Sequence, residues 1–158
     1  MKALLKFGKQ TEEKLLHTGL LFSRIGFGIF MAVGHGLPKL QNYAAYKSKF
    51  PDPLGMGNEL SMAMAIVNEL VLSIFLIFGL GTRYALGGLI ITMGVAAFIV
   101  HGADPLFAAP GQPSKEFALV YFLAYVTMFL AGPGKYSLDA VLEKKFSKQE
   151  VSQEAVTA

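Results

Sequence analysis

Glu69 is the one carboxylate in the apolar run from Leu60 to Leu80. Arg24, Arg83, His101 and Glu116 also stand inside or at the ends of such runs, and His35 lies near the end of the first. A charged side chain in hydrocarbon costs about 2.5–3.5 kcal/mol on insertion scales, so it sits where something compensates it. A carboxyl kept protonated by burial, together with imidazoles, can bind a quinone carbonyl and move protons. The same groups serve a small polar metabolite or a lipid headgroup equally well. Histidine and carboxylate are also metal-ligand types. No local spacing joins them here, so no metal site is assigned.

These residues need helices to position them. The chain has 158 residues, 53% of them hydrophobic and only 16% charged, with a mean hydropathy of +0.48. Soluble domains carry about 25% charged residues, so the apolar excess is expected to face a lipid bilayer. The net charge of +3 sits mostly at the two ends. Nucleic-acid binding, which needs a clustered basic face, is therefore not expected. Absence of cysteine rules out a disulfide framework, a thiolate zinc site and a thiol relay within the chain.

Four apolar segments are expected as spanning helices: about Leu16 to Leu37, Leu60 to Leu80, Tyr84 to His101, and Phe117 to Ala131. A span needs about 20 apolar residues, with about 17 as the lower limit. The fourth is short unless Glu116 and Gly132 lie at the headgroups. The first follows a basic start but is too long for a signal-peptide core, and reads as a retained helix. Gly79-Leu-Gly-Thr-Arg83 is a tight turn. The stretch from Gln41 to Glu59 is a longer loop whose Tyr43, Tyr46 and Phe50 suit a membrane interface. Ala103 to Lys115 holds three prolines and cannot be a continuous helix. Gly132-Pro-Gly134 ends the fourth helix.

Ser137 then caps a helix with Leu138, Val141, Leu142 and Phe146 on one side and Lys144, Lys145 and Lys148 on the other. Gln149 to Ala158 reads as a disordered polar tail. The expectation is an all-α polytopic membrane protein, a four-transmembrane-helix bundle over residues 1–148 with a short C-terminal amphipathic helix. Lys2, Lys6, Lys9, Lys14, Arg83, Lys135, Lys144, Lys145 and Lys148 would share one side. Lys39, Lys47, Lys49 and Lys115 would share the other. The positive-inside rule then puts both termini in the cytoplasm of a bacterial inner membrane.

Helical spacing places Arg24 and His35 on one face of the first helix. It aligns Gly28, Ala32 and Gly36 as a small-residue row open to a close neighbour, such as a second copy of the chain. Met62, Ala65, Glu69, Ser73 and Leu76 share a face of the second helix. His35-Gly36 and His101-Gly102 each precede a proline and then a helix bearing a glutamate, a pattern read as a parallel repeat of two helix pairs. His35, His101 and Glu116 are expected around the mouth of a pocket with Glu69 at its floor. Lys39 and Asp104 stand near the same surface as ligand-binding groups. Arg24 and Arg83 are assigned structural roles at the opposite end, by snorkelling or by pairing with a carboxylate.

Arg24 and Phe30 before His35-Gly-Leu-Pro-Lys39, Glu69 before Gly79-Leu-Gly-Thr-Arg83, His101, Glu116, and Gly132-Pro-Gly-Lys-Tyr-Ser-Leu-Asp139 together resemble the DoxX family of small bacterial membrane proteins. The resemblance runs from about Leu20 to Leu142 and implies a four-helix membrane protein. Relatives in that family include a subunit of a thiosulfate:quinone oxidoreductase, methylamine dehydrogenase maturation proteins, and a membrane partner of cytoplasmic sulfur-handling and superoxide-removing enzymes. No agreed catalytic residue set comes with it. The expected function is a quinone-linked oxidoreductase component, with Glu69, His35 and His101 as the working residues and cytoplasmic redox enzymes as partners. The alternatives are a non-enzymatic membrane scaffold that docks cytoplasmic enzymes, and a small transporter or lipid-binding protein.

Overall fold

The computed structural model describes residues 8–157, with side chains to residue 147. Lys2 and Lys6 lie outside the described residues, as does the side chain of Lys148. Among the described residues there is no strand. Three helices are long and apolar enough to cross a membrane: α1 (Lys9–Gln41), α2 (Asn58–Phe78) and α3 (Thr82–Val100). A shorter apolar helix, α4, covers Glu116–Ala131. A final helix, α5, covers Leu138–Thr157.

Two helix ends differ from the sequence expectation. The first helix does not stop at Leu37. Proline has no N–H to give, which normally ends a helix. Here the turn before it widens to π geometry over Ala32–Gly36, and Leu37 N–H reaches back to the Ala32 carbonyl. That wide turn absorbs Pro38, and the helix runs on to Gln41. The second difference is α5, which continues through the stretch expected as a disordered tail from Gln149. Gln149, Glu150, Gln153, Glu154 and Ala155 are good helix formers.

Two further π turns occur, at Val67–Leu72 in α2 and at Ala96–Val100 at the end of α3. A π turn inserts one extra residue and shifts the faces beyond it by about 100°. This shift explains why Arg24 and His35 do not share a face. Arg24 is buried while His35 is exposed.

α1 packs on α2, α2 on α3 and α3 on α4, and α4 closes back on α1. The closure is aromatic: the Phe27 ring lies edge-on to Tyr121 and Tyr125, at 5.8 and 6.4 Å between centroids. Met31, Leu76, Leu86, Leu89, Met93 and Met128 fill the centre around Tyr125. The face of α2 foreseen from spacing is largely the buried one: Met62, Glu69, Ser73 and Leu76 are buried, and Ala65 is half-buried. Outward-facing residues are large and apolar, as with Phe22 at 72% and Leu130 at 75% exposure. In water such a surface would drive aggregation. Against lipid tails it costs nothing, and packing between small and large side chains must hold the bundle together.

The small-residue row supplies that packing within one chain. A methyl group on Gly28 would lie 2.5 Å from Ile77, and one on Gly36 would lie 2.6 Å from the Leu70 backbone nitrogen. Gly28, Ala32 and Gly36 are buried against α2. The row is therefore occupied inside the protomer and is not free to seat a second copy.

Candidate functional site

The close approach at Gly36 sets up the site. It presses α1 against the Glu69–Leu70 backbone. Lys39 follows one turn later, on the extension past Pro38. Its Nζ donates to Glu69 Oε2 at 2.5 Å. The Glu69 side chain is 7% exposed and that of Lys39 26%. Glu69, expected as a lone buried carboxyl beneath the ligand, thus has a cationic partner in its own chain. Below it, Asn68 Nδ2 donates to Thr92 Oγ1 at 2.7 Å, and that hydroxyl donates to the Gly88 carbonyl at 2.9 Å.

These groups line one cavity of about 270 Å³ between α2 and α3. Lys39, Ser61, Asn68, Glu69, Thr92 and His101 are its polar members. The remaining wall is apolar and includes Met64, Ile91 and Val95. His101 Nδ1 lies 2.7 Å from Asp104 Oδ2. Asp104 is therefore an orienting partner of the imidazole and leaves Nε2 for another contact. A neutral, hydrogen-bonding ligand would meet an ammonium donor, a carboxylate acceptor and an imidazole within one pocket.

His35 and Glu116 do not join this cavity. The His35 ring stands edge-on to Tyr121 at 5.7 Å, on the α4 side of α1. The π turn that contains His35 rotates it there. Glu116 is the first residue of α4, and its Oε2 accepts the Ala108 N–H at 3.2 Å. Beside it, Lys115 donates to the Gly102 carbonyl at 2.8 Å. The first ties the proline-rich loop to the start of α4, and the second ties it to the end of α3. The two proposed repeats also diverge here, because Glu69 is deep in its helix and Glu116 begins its own. Among the described residues, no group of three His, Asp or Glu side chains could hold a metal ion.

The opposite end of the bundle is a separate polar cluster. Arg24 Nη2 donates to the Tyr136 carbonyl at 2.7 Å. Its guanidinium packs on Gly79, where any side chain would collide with it. Gly79 closes α2 with φ 67°, a conformation that favours glycine. Asp139 accepts the Gly81 and Thr82 N–H groups at 2.6 and 2.8 Å and so caps α3. Its own N–H donates to the Gly79 carbonyl at 2.9 Å. Ser137 Oγ accepts the Ala140 N–H at 3.2 Å, which caps α5. Lys135 bridges to Glu13 at 2.6 Å. Arg83 lies over the Phe129 ring at 5.6 Å. Arg24 and Arg83 thus tie the helix ends together, at a distance from the cavity.

Asn68, Thr92 and Asp52 were not singled out from sequence. Asn68 adjoins Glu69 in an otherwise apolar run, which is a readable signal. Thr92 looks like any helical threonine that bonds the carbonyl four residues back. Asp52 sits in a Pro-Asp-Pro-Leu-Gly loop, where a carboxylate commonly accepts nearby N–H groups.

The DoxX family model matches residues 19–102. That span holds Arg24, His35, Lys39, Glu69, Arg83 and His101 and leaves Glu116 and Asp139 outside. An uncharacterized protein of Haemophilus influenzae (strain ATCC 51907 / DSM 11121 / KW20 / Rd) is 29% identical over 105 residues, covering 66% of this chain and 68% of its own. No solved structure matches the chain.

Proposed function

The chain belongs to the DoxX family, and from that premise we propose that it is a quinone-linked component of a membrane oxidoreductase. The cavity between α2 and α3 binds the ring headgroup. The observation that carries this reading is the Lys39–Glu69 pair set into an apolar wall beside His101. Ligand sites are mostly apolar pockets with a few placed polar groups. When bound, a quinone supplies two-electron chemistry. The chain supplies a donor at Lys39 Nζ, an acceptor at Glu69, and a proton-carrying imidazole at His101 held by Asp104. Electrons come from a partner enzyme. His35 and Glu116 act on loop and helix packing around this site.

In this reading α4 is a fourth span. Its 16 residues cover about 24 Å at 1.5 Å per residue, and it lies alongside α3 from Phe122 beside Phe98 to Phe129 beside Arg83. Both termini face the cytoplasm of an inner membrane, and α5 lies along the membrane surface with Val141 and Phe146 toward lipid. Titrating the purified protein with a benzoquinone, followed by tyrosine fluorescence, should give saturable binding that Glu69→Gln weakens at least about tenfold. Absence of binding, or undiminished binding by the variant, would refute the reading.

A further inference from the structure

The cavity is roofed on its loop side. Asp52 holds the roof: its Oδ1 accepts the Met56 N–H at 2.9 Å and the Ser61 hydroxyl at 2.8 Å, and its Oδ2 accepts the Gly57 N–H at 2.8 Å. Asn58 donates to the Phe50 carbonyl, and Lys47 pairs with Glu59 at 2.9 Å. These bonds fold Phe50, Pro51, Pro53 and Leu54 over the pocket, where they form part of its lining.

The lipid side is different. α2 and α3 are held together by the turn at 79–81, by Gly88 against Leu72, and by the Asn68–Thr92 bond. Beyond that bond the helices make little contact, because Asn58–Ile66 and Ala96–Val100 pack on other elements. Met64 and Ile91 flank the gap. Both line the cavity, yet they are 45% and 65% exposed. On spanning helices such exposure faces lipid.

The buried charge in the cavity is already balanced within the chain. Lys39 pairs with Glu69, and Asp104 is taken up in a hydrogen bond with the His101 imidazole. A charged ligand would have to break a pair and leave a buried charge uncompensated, so an uncharged ligand fits better. The volume also limits it. Sites for drug-sized ligands run about 300–1,000 Å³, and this one, at about 270 Å³, holds a ring but not a long tail.

We propose that the cavity is loaded sideways from the bilayer: an uncharged ring headgroup lodges at Lys39 and Glu69, and its apolar tail leaves between α2 and α3 past Met64 and Ile91. The proposal rests on the reading of the cavity as a headgroup site and adds the route and the tail. It implies that the aqueous face is not the entrance.

The test uses the full chain in lipid nanodiscs and two probes, a benzoquinone with a ten-carbon tail and the same ring carrying a methyl group instead. Wild-type protein should bind the tailed probe at least about tenfold more tightly at equal bilayer concentration. Ile91→Trp, at an exposed position on the exit path, should bring the ratio of tailed to tailless affinity, both measured on the variant, down to within about twofold of one. Met64→Trp should do the same from the other wall. Loosening the roof with Asp52→Ala should leave the ratio of tailed to tailless affinity at its wild-type value. Equal affinities for the two probes, or tailed binding that ignores both tryptophans, would overturn the lateral route while leaving the headgroup site standing. Failure of both probes to bind would overturn the headgroup site and the route together.

Discussion

Lys39 and Glu69 show why a buried ion pair must be judged as a pair. Removing one partner of a buried pair costs about 3–5 kcal/mol, while replacing both by apolar groups is often neutral. Lys39→Met should therefore lower stability by about 3 kcal/mol. The double variant Lys39→Met with Glu69→Leu should recover most of that loss, because no charge is then left alone. Denaturant unfolding in detergent would read both, and equal destabilisation of single and double variants would show that the pair carries no coupling. Glu69 was legible in the sequence because a carboxylate in an apolar run is expensive. Its partner was not, because Pro38 argues that the helix has ended before Lys39 is reached. His35 was misplaced for a related reason: helical-wheel geometry assumes a uniform turn, and one π turn swings the imidazole toward Tyr121.

At the scale of elements, the Gly-Leu-Gly turn and the Gly-Pro-Gly-Lys-Tyr-Ser-Leu-Asp stretch look like two independent loops in sequence. In the structure they are one joint. Asp139 caps α3, and Arg24 from α1 holds the Tyr136 carbonyl beside it. Burial works to raise the Asp139 pKa, but hydrogen bonds from Thr82 and Gly81 and the nearby Arg24 charge outweigh it and hold the carboxyl below its usual range. A carboxyl with a depressed folded-state pKa contributes stability that is present above its unfolded pKa and lost as pH falls through the folded value. Asp139→Asn should thus lower the Tm at neutral pH. The gap to wild type should close as pH drops below about 4. Thermal melts across that range would check it, and a gap that stays constant with pH would rule out the charge as the cause. The joint was not legible because a cap supplied from fifty-odd residues away leaves no local spacing in the sequence. The tight turns and the small-residue row were legible, since glycine marks both.

At the scale of the molecule, the apolar excess and segment lengths were enough to read a membrane-embedded helical bundle. They could not say which helices touch. That depended on Gly28 and Gly36 drawing α1 onto α2, a contact that occupies the small-residue row within one chain. The proposed orientation follows from lysine and arginine placement, and the absence of cysteine makes it simple to test. Single thiols introduced as Ser48→Cys in the long loop and Ser147→Cys in α5 should label from opposite sides. A membrane-impermeant maleimide added to intact cells should reach the first and not the second. Labelling of Ser147→Cys alone would invert the topology, and the cavity would then lie toward the cytoplasm.

In the proposed reading, Lys39 and Glu69 form the polar end of a site for a neutral, lipid-soluble ring. Native mass spectrometry of the protein extracted with its own lipids would see such a ring. One retained molecule with the mass of a quinone is expected on the wild-type chain and is expected to be lost in Glu69→Gln. A bare wild-type chain, or the same molecule retained equally by the variant, would contradict that reading.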